Sequence, residues 1–148
     1  MSITNPAAAF GEVASSPQGS PTIRSFVNAT TVSVGDLVAL STSTGVVIKN
    51  LTNTAQKRTI GVAMENKAAG GVVLVCIYGP CYNVKKDTAS AVTAGDVVTR
   101  AATDTAGVTP IGSTTAVTQY KDVGLGIGVV MADAVATATV CDIFICKQ

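Results

Sequence analysis

The sequence predicts an all-β fold, a compact barrel or sandwich of about nine strands that follows an extended N-terminal arm. Three observations lead to this prediction. Glycine-centred turn signals recur at intervals of roughly 8–12 residues. Valine and threonine, which favour strands, are abundant between these turns. Few windows show the 3.6-residue periodicity of an amphipathic helix.

The chain divides into an N-terminal arm, residues 1–21, and a β domain, residues 22–148. The arm contains three prolines and a single charged residue, Glu12, so it cannot bury enough apolar surface to fold alone. Two interpretations remain open: an unstructured terminus, or an arm that becomes ordered against a partner chain. For the second, the candidate contact residues are Ile3, Asn5, Pro6, Phe10 and Val13.

An internal repeat organises the β domain, with one copy at residues 34–79 and the other at 94–146. Four short blocks recur in the same order, and this argues against chance as the explanation. The matched blocks are Val34–Leu40 with Ala94–Arg100, Thr44–Val47 with Ala106–Thr109, Ile60–Met64 with Ile127–Met131, and Val73–Tyr78 with Val140–Ile145. The repeat predicts a duplicated strand module, with Thr22–Ala29 as an additional strand. Gly128 matches Gly61, which indicates close backbone approach at both positions.

Two Gly-Asp pairs, Gly35-Asp36 and Gly95-Asp96, occupy equivalent positions in the two copies and are interpreted as structural turns. Glycine supplies a positive φ, and aspartate accepts hydrogen bonds from nearby backbone amides. A catalytic aspartate pair is the less favoured alternative. Because the chain has no histidine, it cannot form a Ser-His-Asp or Cys-His site. We therefore expect no catalytic residues, no cofactor and no enzymatic activity.

Charged residues make up 13% of the chain and the net charge is +1, whereas hydrophobic residues make up 47%. A nucleic-acid-binding protein would show a basic stripe, so no nucleic-acid partner is expected. The adjacent lysines Lys85 and Lys86 are interpreted as part of a solvated loop. No apolar run reaches the ~18 residues of a membrane helix, and the N-terminus lacks a secretory pattern. We expect assembly in a cytoplasm and no membrane partner.

The four cysteines form two pairs with the same spacing, Cys76 with Cys81 and Cys141 with Cys146. Residues five apart on a straight strand point to opposite faces, so Cys141 and Cys146 cannot chelate one ion without a bend. Gly79-Pro80 is interpreted as the end of a strand, and it could turn the chain between Cys76 and Cys81. Buried free thiols are the favoured interpretation. A disulfide and a metal site remain alternatives.

The order of these motifs resembles the small capsid cement, or head decoration, proteins of tailed phages. The resemblance covers about Arg24 to Phe144 and rests on a G-D-x-V turn, an I-G-V-A strand, a second T-A-G-D turn, an I-G-x-V strand and a final alternating strand. It implies a barrel or tulip-like all-β fold. It also implies a homotrimer that sits on the outer capsid surface at three-fold and quasi-three-fold positions and clamps neighbouring major capsid protein subunits, without catalysis.

The function expected on these grounds is that of a structural virion protein that stabilises the phage head. Contacts within the trimer are expected from the C-terminal strand and from the strand at Gly124–Met131. The alternative is a virion-displayed β-sandwich module that binds host-surface or carbohydrate ligands, which exposed aromatic residues in a concave site would favour. The scarcity of charge supports a protein that is largely covered by other protein.

Overall fold

A computed structural model describes residues 21–41, 45–49, 59–101, 106–111 and 126–146, and within these ranges the chain is all-β, without helix. The all-β prediction is therefore confirmed, while the arm lies outside the described residues. Nine strands, β1 to β9, are formed by Thr22–Asn28, Leu37–Leu40, Val46–Lys49, Thr59–Ala63, Val72–Lys85, Val97–Arg100, Val108–Pro110, Gly128–Val130 and Val140–Ile145.

The first half of the domain is a closed five-stranded barrel. Its strands are hydrogen-bonded in the order β1-β3-β2-β4-β5, and β1 pairs again with β5 to close the circle. The β1–β3 contact is parallel, with Asn28 opposite Val47, whereas β1 and β5 are antiparallel. Closure leaves β1 without a free edge, so its main-chain groups are paired on both sides. Small branched side chains suit the narrow interior of such a barrel.

The second half repeats this arrangement with the C-terminal part of β5 in the place of β1. That part of β5 pairs with β9, and the sheet continues through β8 and β6 to β7. An isolated parallel bridge joins Lys86, directly after β5, to Val108 at the start of β7. This bridge is the counterpart of the parallel β1–β3 contact. Each half is thus built on the same strand circuit.

The two cores correspond position by position. Core one contains Phe26, Val32, Val38, Val47, Ile60, Ala63, Val73, Val75 and Ile77. Its counterparts in core two, in the same order, are Val84, Val92, Val98, Val108, Ile127, Val130, Cys141, Ile143 and Ile145. The expected close approach is also present in both halves: an added Cβ on Gly61 would overlap the carbonyl oxygen of Cys76, and one on Gly128 would overlap that of Phe144.

Strand pairing corrects the predicted alignment of the last strand by one residue. Val62 lies opposite Cys76, and its counterpart Val129 lies opposite Phe144. The match to Val140–Ile145 is therefore 72–77, not Val73–Tyr78. The match to Ala106–Thr109 likewise shifts from Thr44–Val47 to 45–48, because Leu40 lies opposite Val47 and its counterpart Arg100 lies opposite Val108. The segment between β8 and β9 is one residue longer than that between β4 and β5, and sequence alone did not locate this insertion among similar valine-rich residues. A one-residue shift matters because it exchanges the two faces of a strand.

A single long strand, β5, connects the two halves. The expectation that Gly79-Pro80 ends a strand is wrong, since β5 runs through both residues from Val72 to Lys85. Gly79 has a φ of +102°. Before it, β5 pairs with β1 and β4, and from it onward β5 pairs with β9. Proline is tolerated here because the strand changes sheets at this point, where a ladder donor is dispensable.

The outer wall of the first barrel forms part of the interior of the second. Leu37, Val62 and Cys76 are side-by-side neighbours on β2, β4 and β5, and we call them the inner ladder. Each is at most 1% exposed, and all three belong to the apolar cluster of the second half. Burial of such side chains stabilises the contact by about 1.5–3 kcal/mol each. The two halves therefore share a continuous apolar interior.

Equivalent buried polar residues occupy the ends of the two barrels. The Asn28 amide donates to the carbonyl oxygens of Thr30, Lys67 and Ala68. At the corresponding place in the second half, the Lys86 ammonium donates to the carbonyl oxygens of Asp87, Ser90 and Ala136. The expectation that Lys85–Lys86 lies in a solvated loop is wrong, because Lys86 is 2% exposed. Burial lowers the pKa of Lys86.

The duplicated turns provide a matched test of the contact between the halves. Gly35 and Gly95 have φ values of +84° and +94°. An added Cβ at Gly35 would lie 2.5 Å from the carbonyl oxygen of Asn83, whereas one at Gly95 would meet nothing within 4 Å. We expect Gly95→Ala to lower the free energy of unfolding by about 1 kcal/mol and Gly35→Ala by about 3 kcal/mol. Denaturant unfolding measures both, and equal losses would contradict the packing described.

The cradle around Lys86 gives a second prediction. Lys86→Met removes the donor to three carbonyl oxygens and should lower the free energy of unfolding by about 1–3 kcal/mol. Lys86→Asn should lower it less, because Asn28 donates to three carbonyl oxygens at the equivalent place in the first half. Since the folded-state pKa of Lys86 is lowered, the unfolded chain binds that proton more tightly. The stability of the wild type relative to Lys86→Asn should therefore rise as the pH approaches 10.5 from below. Chemical denaturation across alkaline pH tests both points, and a falling difference would contradict them.

Candidate interaction surface

The structure places four of the nine residues singled out in the sequence. The five contact candidates of the arm, Ile3, Asn5, Pro6, Phe10 and Val13, lie outside the described residues. The two Gly-Asp pairs are described, and both stand in the same type of turn. In each, the aspartate carboxylate accepts a backbone N–H from three residues earlier, Ser33 to Asp36 and Thr93 to Asp96, at 2.8 Å in both cases.

Beyond this shared turn, the two aspartates differ in environment. Asp36 is fully buried at the contact between the halves. Its carboxylate forms ion pairs with Lys49, at 3.1 Å, and with Lys85, at 2.5 Å. Lys85 belongs to the second half, and its backbone N–H also donates to the Gly35 carbonyl oxygen. Asp96 is only half-buried and has its additional hydrogen bond from the Thr93 hydroxyl. Divergence has thus made only the first turn part of an internal interface.

Other described carboxylates stabilise the backbone locally. Asp133 accepts the N–H of Ala94, Asp142 that of Asn83, Asp87 that of Ala89, and Glu65 that of Leu74. Asn83 has a positive φ of 55° and sits where β5 carries an extra residue opposite β9. These carboxylates are dispersed over different turns. Within the described residues, no three potential ligands converge to hold a metal ion.

The thiols of Cys76 and Cys81 meet because β5 bends between them. The two side chains hydrogen-bond to each other, and the Cys76 thiol donates to the Tyr78 carbonyl oxygen at 3.5 Å. This bond and burial raise the pKa of Cys81. Burial also raises the pKa of Cys141 to about 11. All four cysteines are free thiols in the structure, and Cys146 alone among them is not fully buried.

An apolar face covers the outside of β1 and the first part of β5. Val27 and Val72 are direct cross-strand neighbours, 44% and 55% exposed, and Leu74 and Ile23 lie on the same outward face. Large contiguous apolar patches on a protein surface mark interaction sites, whereas single scattered apolar residues do not. The segment Val72–Ile77 is apolar at every position, hence on both faces of the strand, and this is the signal for the patch that the sequence contains.

A second apolar area lies on the outside of the second half. Tyr78 and Phe144 contact each other edge to face, with ring centroids 5.4 Å apart. Phe144 lies beside Val129, which in turn lies beside Val97. Tyr78 is 53% exposed, and the other three are half-buried. Phe144 and Val129 belong to the two strands expected to make subunit contacts. In the part of the chain that is described, no helix is long and apolar enough to cross a membrane.

Thiol labelling tests the burial of the cysteines. At mildly alkaline pH, a disulfide reagent such as DTNB should modify Cys146 rapidly in the native chain, because Cys146 is partly exposed. The other three thiols are buried and should react slowly, only when the protein opens locally. Cys146→Ser should abolish the rapid phase and leave the slow phase unchanged. Rapid modification of more than one thiol in the native protein would contradict the packing of β5 and β9.

Comparison with known proteins adds one finding on the fold. The chain is similar to the N base of head fiber gp8.5 of bacteriophage phi29, with a TM-score of 0.53 and 16% sequence identity, over 86% of this chain and 97% of that chain. No protein family and no curated protein matches the sequence. At this identity the likeness concerns the fold. The fold described above is therefore similar to that of a head fiber base from a phage.

Proposed function

We propose that this chain is a structural protein of a phage virion, which binds the outside of the assembled capsid as a homotrimer at three-fold and quasi-three-fold sites and stabilises the head. The observation that carries the proposal is the fold: nearly the whole of a phage head fiber base corresponds to this chain. The motifs of the sequence resemble phage head decoration proteins independently of that likeness. Both support a structural role in a phage virion.

The chemistry of the described residues agrees with a binding role. The carboxylates discussed above hold turns and ion pairs, and the thiols of Cys76, Cys81 and Cys141 are enclosed in apolar surroundings. The exposed surface carries instead apolar strand faces, such as the one formed by Val27 and Val72. A protein that works by adhesion needs such faces more than it needs accessible reactive groups.

Stabilisation of the head would follow from mass action. A protein that binds the expanded capsid lattice, and not the dissociated subunits, shifts the equilibrium toward the lattice. A trimer touches several major capsid protein subunits at once, and each additional contact raises the effective concentration of the next. The arm, residues 1–21, is the segment that we assign to the capsid, with Ile3, Phe10 and Val13 as apolar anchors and Asn5 and Pro6 between them. Neither a cofactor nor catalysis is involved.

Binding to heads tests this function. Purified full-length chain is mixed with expanded heads that lack it, and co-sedimentation gives the number of bound copies. We expect saturation at several hundred copies, in a multiple of three at each site, and a higher temperature of head disruption by calorimetry. Failure to bind expanded heads at any concentration would refute the proposed function.

The role of the arm is tested separately. Deletion of residues 1–21, or the triple substitution of Ile3, Phe10 and Val13 by serine, should weaken binding to heads at least about tenfold, because the apolar anchors are lost. The matched control changes three polar positions of the same arm, Ser15→Ala, Gln18→Ala and Ser20→Ala, and should bind as the wild type does. Undiminished binding after the deletion would refute the arm as the capsid contact while leaving the binding function intact.

A further inference from the structure

The internal duplication identifies a surface that is covered in one half and open in the other. The inner ladder, Leu37, Val62 and Cys76, has direct counterparts in the second half. These are Val97 on β6, Val129 on β8 and Phe144 on β9, which pair in the same order, and we call them the outer ladder. The inner ladder is fully buried under the second half, whereas the three residues of the outer ladder are half-buried at the surface.

We propose that the outer ladder is the site at which a second copy of this chain packs, in the same head-to-tail manner in which the second half packs on the first. The chain itself demonstrates that this ladder, in this fold, can be covered by another copy of the same module. The outer ladder has kept apolar side chains in all three positions, with a phenylalanine where the inner ladder has Cys76. Self-association is part of the proposed function, so this inference rests on it and names the face.

The internal contact also indicates which surface of the second copy is involved. Around the inner ladder, the second half contributes Lys85, which binds Asp36, and the carbonyl oxygen of Ala106, which accepts the N–H of Leu37. The counterparts of Lys85 and Ala106 in the first half are Val27 and Gly45. Ala106 and Gly45 share a positive φ, 49° and 72°, which supports their equivalence. Val27 lies on the exposed apolar face of β1 and β5.

A contact between the outer ladder of one copy and the Val27 face of the next is heterologous, because two different surfaces meet. Such contacts form closed rings when the rotation closes and open fibres when it does not. Both surfaces are apolar, as a stable subunit interface requires at its centre. In this arrangement Val27 of one copy lies next to Asp96 of the following copy. This position is equivalent to that of Lys85 next to Asp36 within the chain.

The test uses the isolated full-length chain, without capsids, so that it can fail or succeed independently of binding to heads. Analytical ultracentrifugation from micromolar to millimolar concentration should show a discrete oligomer for the wild type. Val129→Lys, at the centre of the outer ladder, should weaken its assembly at least about tenfold. Val135→Lys adds the same charge at a position that is 68% exposed and serves as the matched control. Unfolding curves establish that both variants are folded.

Charges at the exposed position Val27 provide a test that leaves the half-buried outer ladder unchanged. Val27→Lys places an ammonium before Asp96 of the next copy and should preserve or tighten association, whereas Val27→Asp should weaken it at least about tenfold. Adding Asp96→Lys to Val27→Asp should restore association, and unfolding curves check that this variant stays folded without the turn hydrogen bonds from Thr93. A photoreactive residue at position 129 should cross-link to a second chain.

Three results would overturn the inference. The first is a wild-type chain that stays monomeric throughout the concentration range. The second is an oligomer that Val129→Lys and Val27→Asp leave unchanged. The third is a cross-link from position 129 to residues 112–125 of the same chain, or to major capsid protein alone when heads are added, since either would identify a different occupant of the outer ladder.

Discussion

The fold depends on one strand that belongs to two barrels. The N-terminal part of β5 closes the first barrel against β1 and β4, and its C-terminal part takes the place of β1 in the second. The change of sheet occurs at Gly79-Pro80, where one residue supplies an unusual φ and the other lacks an N–H that a continuous ladder would need. Because the two barrels share a strand, neither half can shift without breaking the pairing of the other. The bend is also what brings Cys76 and Cys81 together.

The short strands and the duplication could be predicted from the sequence because glycine turns and alternating valines depend on local backbone geometry. The strand Leu37–Leu40 lies within one block of the predicted repeat, and the strand Val140–Ile145 coincides with another. The continuity of β5 was not predicted, since proline ordinarily ends a ladder and its tolerance here depends on which neighbour each residue pairs with. The burial of Lys86 was missed for a similar reason: the sequence contains the ammonium but not the three carbonyl oxygens that surround it. Pairing partners distant in sequence decided both cases.

Comparison of the two halves separates what the fold requires from what the interface requires. Both halves need a buried donor at the end of the barrel, and asparagine and lysine each fulfil this need at Asn28 and Lys86. Both need a turn in which an aspartate accepts a backbone N–H. Only the first half buries that aspartate, and only there do two lysines accompany it, because an unpaired buried carboxylate would be strongly destabilising. The ion pair of Asp36 with Lys85 therefore belongs to the contact between the halves, while Lys49 of the first half adds a second positive charge beside the buried carboxylate.

The scarcity of charge follows from the same division. Several of the few charged residues are engaged inside the molecule, as at Asp36 and Lys86, or in turns, as at Asp133 and Asp142. The outward faces of the strands carry valine, leucine, phenylalanine and tyrosine side chains. A free monomer would expose these faces to water at a cost in solubility, whereas a chain whose faces meet further protein would not. The duplication makes this argument specific, because the first half already shows how such a face is covered: by another copy of the same module, packed over a ladder of apolar residues.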